Sequence, residues 1–129
     1  MVEKTPPEPT NLITDKCDVI IRDARRTILK IDWLHLKKRN EEFRQSKKKK
    51  VRENSEQYLL NPNVIKDLVQ QLEGKLLRNE GEKKDWPAWK YFGYDKVIDK
   101  RNGMNYRILV LLDDDNPEII GVITVHPWE

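Results

Sequence analysis

The run Tyr-Arg-Ile-Leu-Val-Leu-Leu at 106–112 constrains the fold more than any other stretch of the chain. Read as a strand, it is apolar on both alternating faces, with Tyr106, Ile108, Val110 and Leu112 opposed to Leu109 and Leu111. Such a strand belongs in the interior of a sheet, covered on both sides. The flanking segments supply neighbours. Residues 89–99 are aromatic and β-branched, and Arg101-Asn102-Gly103-Met104 holds the Asn-Gly pair that suits a type I′ hairpin, whose central residues both need positive φ. Downstream, Asp113-Asp114-Asp115-Asn116-Pro117 reads as a turn and residues 119–126 as a last strand.

Upstream of the sheet the period changes. Asn61 precedes Pro62 as a helix N-cap precedes a first-turn proline, and Ile65, Leu68, Val69, Leu72 and Leu76 follow as a stripe of period 3.6. The spacing predicts a helix over 62–78, stopping near Asn79-Glu80-Gly81. From Cys17 to Arg44 two patterns compete. Ile20, Ala24, Thr27, Ile28, Ile31 and His35 recur at three and four residues, whereas Leu29, Ile31, Trp33 and His35 alternate. We expect a helix over 15–27, then a strand over 28–34 or a continued helix, then a helix from His35 to about Ser46. The expected fold class is α+β: N-terminal helices packed on a C-terminal antiparallel meander of three to four strands. With 129 residues the chain makes about one domain, placed at 13–129. Residues 1–12, with Pro6, Pro7 and Pro9, hold too little apolar surface to offset ordering and are expected to be a disordered tail.

Composition removes several function classes. Charged residues are 36% of the chain, mean hydropathy is −0.83, and no run approaches the ~20 apolar residues of a membrane span. The first residues lack the apolar stretch of a secretory signal, so a cytoplasmic protein without a membrane partner is expected. One cysteine, Cys17, excludes an internal disulfide framework; with His35 and His126 it makes no four-ligand zinc set, so neither metal nor cofactor is expected. Walker, GxGxxG, GxSxG and HExxH motifs are all absent.

What remains is charge and a pair of histidines. Between Lys37 and Glu56 nine cations face four anions, a net charge of +5 within twenty residues. This stretch, densest at 46–56, suits a phosphate backbone, with Lys37, Lys38, Lys47, Lys48, Lys49, Lys50 and Arg52 as candidate nucleic-acid contacts; it equally suits a solvated linker. Trp86 and Trp89 sit among lysines in an aromatic cluster that could stack bases or plug a core. Cleaving RNA without a metal requires a base, an acid and a cation for the phosphorane oxygens, and histidine suits both proton transfers. His35 stands beside Lys37, Lys38 and Arg39. His126 ends the last strand, on the same face as Thr124. A site joining them would use Arg107 or Arg101 as a phosphate clamp.

The segments His-Leu-Lys-Lys-Arg-Asn-Glu-Glu-Phe (35–43), Tyr-Leu-Leu-Asn-Pro-Asn-Val-Ile (58–65), Tyr-Arg-Ile-Leu-Val-Leu-Leu (106–112) and Gly-Val-Ile-Thr-Val-His-Pro (121–127) resemble, in this order, the barnase, EndoU, colicin and RelE-type ribonuclease superfamily. The nearest pattern is that of its small phage- and toxin-associated members. The resemblance covers residues 33–128. It implies a metal-independent endoribonuclease, a toxin or phage-associated effector, acting on RNA, with a cognate inhibitor as a further partner. His35 would do acid or base work, Arg39 or Lys38 and Arg107 would hold phosphate, and Thr124 would bond the substrate. Three departures stand out: the basic insertion 46–52, His126 where the pattern has tyrosine, and Asn40 where it often has a second histidine. The last implies a lost catalytic group. The alternative is therefore a non-catalytic module that binds nucleic acid or a partner, as an immunity protein or antitoxin does.

Overall fold

The computed structural model describes residues 12–83 and 86–127, with side chains over 13–81 and 90–127. The expected tail lies outside them, as do the side chains of Trp86 and Trp89. Six strands form one mixed sheet: β1 (Leu12–Ile21), β2 (Ala24–Asp32), β3 (Arg78–Lys83), β4 (Trp86–Ile98), β5 (Asn105–Asp113) and β6 (Ile119–Pro127). Their order across the sheet is β1-β2-β6-β5-β4-β3, antiparallel throughout except for the parallel pair β2 and β6. Between β2 and β3 lie α1 (Trp33–Arg44), the short α2 (Lys49–Glu53), a 3-10 turn at Ser55–Gln57, and α3 (Pro62–Gln70). The expectation of N-terminal helices on a three- to four-stranded antiparallel meander is thus overturned. The described residues open with a β-hairpin, and that hairpin extends the sheet through a parallel contact.

The expected helix over 15–27 is this hairpin. Its turn is Arg22-Asp23, with φ of 50° and 62°, while Ile21 pairs with Ala24. Two positive φ values make the type I′ bend that matches strand twist, here without glycine. The register shifts between Lys16 and Val19, and in β2 the buried positions step by three from Arg26 to Leu29 before alternating to Ile31, which is why three- and four-residue spacings competed with alternation. Conversely, the Asn-Gly pair at 102–103 is not a type I′ turn. Among described residues only Gly103 there has positive φ, at 75°, and Asp99 closes the longer loop by accepting from Arg101, Asn102 and Gly103.

The helix predicted over 62–78 starts where expected, with the Asn61 side chain accepting from Val64 N–H at 3.0 Å. It ends early, at Gln70. Gly74, at φ 75°, completes the exit, leaving Leu76 92% exposed and Leu77 buried. β3 begins at Arg78, the last residue of the expected helix, and takes in the expected exit at 79–81.

One apolar cluster ties the elements together. Leu36 and Phe43 of α1, Ile65, Leu68 and Val69 of α3, and the inward row Tyr106, Ile108, Val110 and Leu112 of β5 share it with Leu29, Ile31, Ile120, Val122 and Val125. β5 lies between β4 and β6 as an interior strand. Its second face is only partly covered: Leu111 is buried, Leu109 half-buried and Arg107 exposed. Residues 12–32 join this same core, which the sequence left open.

Candidate functional site

β6 runs on past the end of its parallel neighbour. Pairing of β2 with β6 ends at Ile31 opposite Val122, and at Asp32 the chain turns into α1, whose first turn Asp32 caps by accepting from His35 N–H at 3.2 Å. Beyond Val122 the edge of β6 therefore meets side chains of α1 instead of a strand. His35 Nε2 accepts from Val125 N–H at 3.3 Å, and Arg39 Nε donates to Val125 C=O at 3.1 Å. These two side chains do what another strand residue would do, satisfying both backbone groups of Val125.

This places the two histidines together. Their ring centroids are 5.5 Å apart with planes at 78°, an edge-to-face pair. A terminal nitrogen of Arg39 donates to His126 Nδ1, and the other pairs with Glu42. With only 13% of its side chain exposed, Arg39 is the hub of the junction. Burial, then Arg39, then the neighbouring His126 hold His35 below its ordinary value. Burial and Arg39 do the same to His126, with Arg107 adding and Glu42 opposing. Both rings are neutral near pH 7. Since His35 Nε2 and His126 Nδ1 each accept, the protons sit on His35 Nδ1 and His126 Nε2. His126 Nε2 has no hydrogen-bond partner among the described residues.

The remaining candidates fall in three groups. Arg107 lies opposite His126 on β5, and its Nε donates to Asp95 at 3.1 Å, while Asp95 also binds Arg78 at 2.7 Å. The hydrogen bond from Arg78 is the largest cause holding the Asp95 carboxyl below its usual range. Thr124, half-buried, is two residues before His126 on the same strand, opposite Leu109. Lys37 and Lys38 are exposed on α1 and line a shallow groove with Asp32, Leu34, His35 and Glu41. The other cations stand apart. Lys47, Lys48, Lys49, Lys50 and Arg52 lie on or beside α2, which buries no residue; Arg52 donates to Ser46 C=O at 3.0 Å and Lys49 pairs with Glu53 at 3.8 Å. Arg101 is spent on Asp99, at 2.9 Å, and does not clamp the site.

Asn40 has a structural task. Only 7% exposed, it donates to Leu60 C=O at 2.8 Å and accepts from Leu60 N–H at 2.6 Å, pinning the chain before α3. Its amide is needed there, so its presence says nothing of a lost acid or base. Burial pushes the Cys17 thiol up, away from the thiolate a nucleophile requires, and its Sγ donates to Arg26 C=O at 3.3 Å. The acidic turn is likewise committed: Asp113 accepts from Asp115 N–H and Asn116, and Asp114 pairs with Lys90 at 2.8 Å. Among the described residues no group of three or more His, Cys, Asp or Glu could hold a metal ion, and no helix is long and apolar enough to cross a membrane.

Sequence reasoning missed Glu42, Asp95 and Arg78. Glu42 was readable as the i+3 partner of Arg39 on a helix. Asp95 and Arg78 had no signal, because their approach depends on the registers of β3, β4 and β5. Comparison with protein-family models, with curated proteins and with solved structures found no match.

Proposed function

We propose that this is a ribonuclease-like domain that takes a phosphodiester of cytoplasmic RNA at the junction of α1 and β6 without a metal, with His126 as the proton-transfer group. The observation that supports it is the setting of one exposed imidazole between Arg39 on its Nδ1 side and Arg107 across the strand pair, with Thr124 on its own strand. Two guanidiniums flanking an imidazole suit a phosphate whose charge grows in the transition state. In this reading Arg39 turns its terminal nitrogen from His126 to a phosphate oxygen, which frees the Nδ1 lone pair to take the 2′-hydroxyl proton as that oxygen bonds to phosphorus. The resulting imidazolium returns a proton to the 5′-oxygen as the P–O5′ bond breaks, leaving a 2′,3′-cyclic phosphate and neutral His126. A positioned base of this kind contributes roughly 10²–10⁴-fold. His35 is a positioning residue: its Nε2 belongs to Val125. Lys37 and Lys38 would meet flanking phosphates along the groove.

A second reading, binding of RNA without cleavage, is favoured by one specific feature. Each arginine of the site already holds a carboxylate, Arg39 with Glu42 and Arg107 with Asp95, and only one of the two imidazoles is open to a substrate. Total tRNA with excess EDTA separates the two, run beside anisotropy of a labelled RNA at low and moderate salt. Cleavage in the native chain that disappears in His126→Ala supports the first reading. Salt-sensitive binding that leaves the RNA intact supports the second, and RNA neither bound nor cut overturns both.

A further inference from the structure

Of the contacts that close the outer edge of β6, two depend on nitrogen lone pairs that a proton would remove, Val125 N–H on His35 Nε2 and Arg39 on His126 Nδ1; the third, Arg39 Nε on Val125 C=O, does not. We propose that the α1–β6 junction is a proton-operated latch, in which protonation of His35 and His126 frees Val125 N–H from the His35 ring and displaces the Arg39 guanidinium. The inference stands on the backbone geometry, whether or not RNA is the ligand.

The stereochemistry is explicit. His35 Nε2 meets Val125 N–H as an acceptor. An imidazolium carries N–H on both nitrogens, so protonation sets donor against donor and orphans a backbone N–H. His126 Nδ1 meets the Arg39 guanidinium as an acceptor, and its protonation sets a second cation against that guanidinium. With rings 5.5 Å apart, the two imidazoliums also oppose each other. The surrounding charges do not absorb this. From α1 and its cap come Asp32, whose Oδ1 caps His35 N–H, and Glu42, which pairs with Arg39; Lys37 and Lys38 share the groove that His35 borders. From β5 comes a further cation, Arg107, held by Asp95 of β4. Burial first and the Arg39 charge second hold both histidines below their ordinary values, the same sign that this crowding requires.

Release is local. Leu36 and Phe43 stay in the core and Asn40 stays on Leu60, so the rest of α1 remains anchored. What opens is the edge of β6 past Val122, together with Arg39 and His126.

The test is amide exchange of Val125 by NMR in the full chain at pH 7.5 and 5.5, each corrected for intrinsic exchange and referred to Val110 at the centre of β5. One proton per histidine makes the opening equilibrium change by about tenfold per pH unit below the ordinary histidine value. Protection at Val125 should therefore fall by roughly that factor or more while Val110 is unmoved, and His35→Gln, whose amide oxygen accepts without titrating, should flatten most of the dependence. Equal behaviour of Val125 and Val110, or the same loss in a folded His35→Gln/His126→Gln chain, would overturn the latch. Should that variant not fold, the ring Cε1–H shifts of the native chain decide. Rings titrating below 6.5 in step with the Val125 amide support it. Rings titrating at or above that value, or an amide indifferent to their titration, overturn it.

Discussion

At the scale of single residues, this chain repeatedly uses polar side chains, one or a pair, to satisfy both backbone groups of a distant residue. Asn40 does so for Leu60, Gln71 for Ile98 with two bonds of 2.8 Å, and His35 with Arg39 for Val125. Among the described residues no buried side-chain nitrogen or oxygen lacks a partner, so removing one of these clamps creates a defect the native state does not otherwise contain. Asn40→Ala should strand the N–H and C=O of Leu60 in a buried site, at ~1–3 kcal/mol for each group left unpaired. Urea unfolding is the measurement, and a loss below ~1 kcal/mol would mean that water enters and replaces the amide. Gln71→Ala, on the exposed side of Ile98, should cost clearly less, because water reaches the freed groups. The contrast between the two variants matters more than either value.

At the scale of elements, the legible parts of the fold were those whose signals are local. The Asn61 cap, the β5 run and the Asp113–Pro117 turn each carry their own chemistry, and each is where the residues place it. The β1–β2 hairpin was not legible, because its turn is Arg22-Asp23 and a glycine-free bend sends no punctuation. What holds the bend is tertiary: the Arg22 guanidinium lies 4.3 Å from the centre of the Phe92 ring, a contact between residues seventy positions apart. The site was legible to the same degree. That His35, Arg39 and His126 occupy one place could be read from helix and strand positions. That the rings accept from Val125 and Arg39 follows from β6 outrunning β2, which no local pattern records. The turn yields a prediction of its own. Asp23 sits at φ 62°, where a β-branched side chain is strained by ~1–2 kcal/mol and glycine is not. Asp23→Val should lower the unfolding midpoint markedly, and Asp23→Gly should hold it within ~0.5 kcal/mol, since relief of strain and the extra entropy of an unfolded glycine oppose each other. Equal midpoints for the two variants would mean that the left-handed turn is not what directs this hairpin.

At the scale of the whole molecule, the titrating groups divide stability into pH windows of defined sign. His35 and His126 are held below their ordinary value, so the unfolded chain binds more protons than the folded one in the interval beneath 6.5. Their contribution is complete above 6.5 and is lost as pH falls through that interval to the lower folded-state values. Asp15, Asp95 and Asp114 are also lowered, chiefly by hydrogen bonds from the Lys16 backbone, Arg78 and Lys90 respectively. Whatever they contribute persists through the histidine window and disappears only beneath the ordinary carboxylate range. At the alkaline end, burial pushes the Tyr106 phenol up, and its hydroxyl donates to the Met104 sulfur at 3.7 Å. The unfolded chain therefore sheds that proton first, and stability declines once pH rises past about 10. Urea midpoints from pH 4 to 11 should show a plateau from about 7 to 8, a first decline starting near 6.5, and a separate alkaline decline that begins with the raised Cys17 thiol and steepens past about 10. In the acid limb the native chain and His35→Gln/His126→Gln should differ in slope by up to ~1.4 kcal/mol per pH unit per histidine and run parallel above 7. Tyr106→Phe should remove the part of the alkaline limb above about 10, leaving the part set by the raised Cys17 thiol, with little cost near neutrality, because the hydroxyl it deletes has a weak sulfur acceptor. An acid limb that keeps its slope without the histidines would move its origin to the carboxylates, and the junction of α1 with β6 would then hold its shape at every pH at which the sheet does.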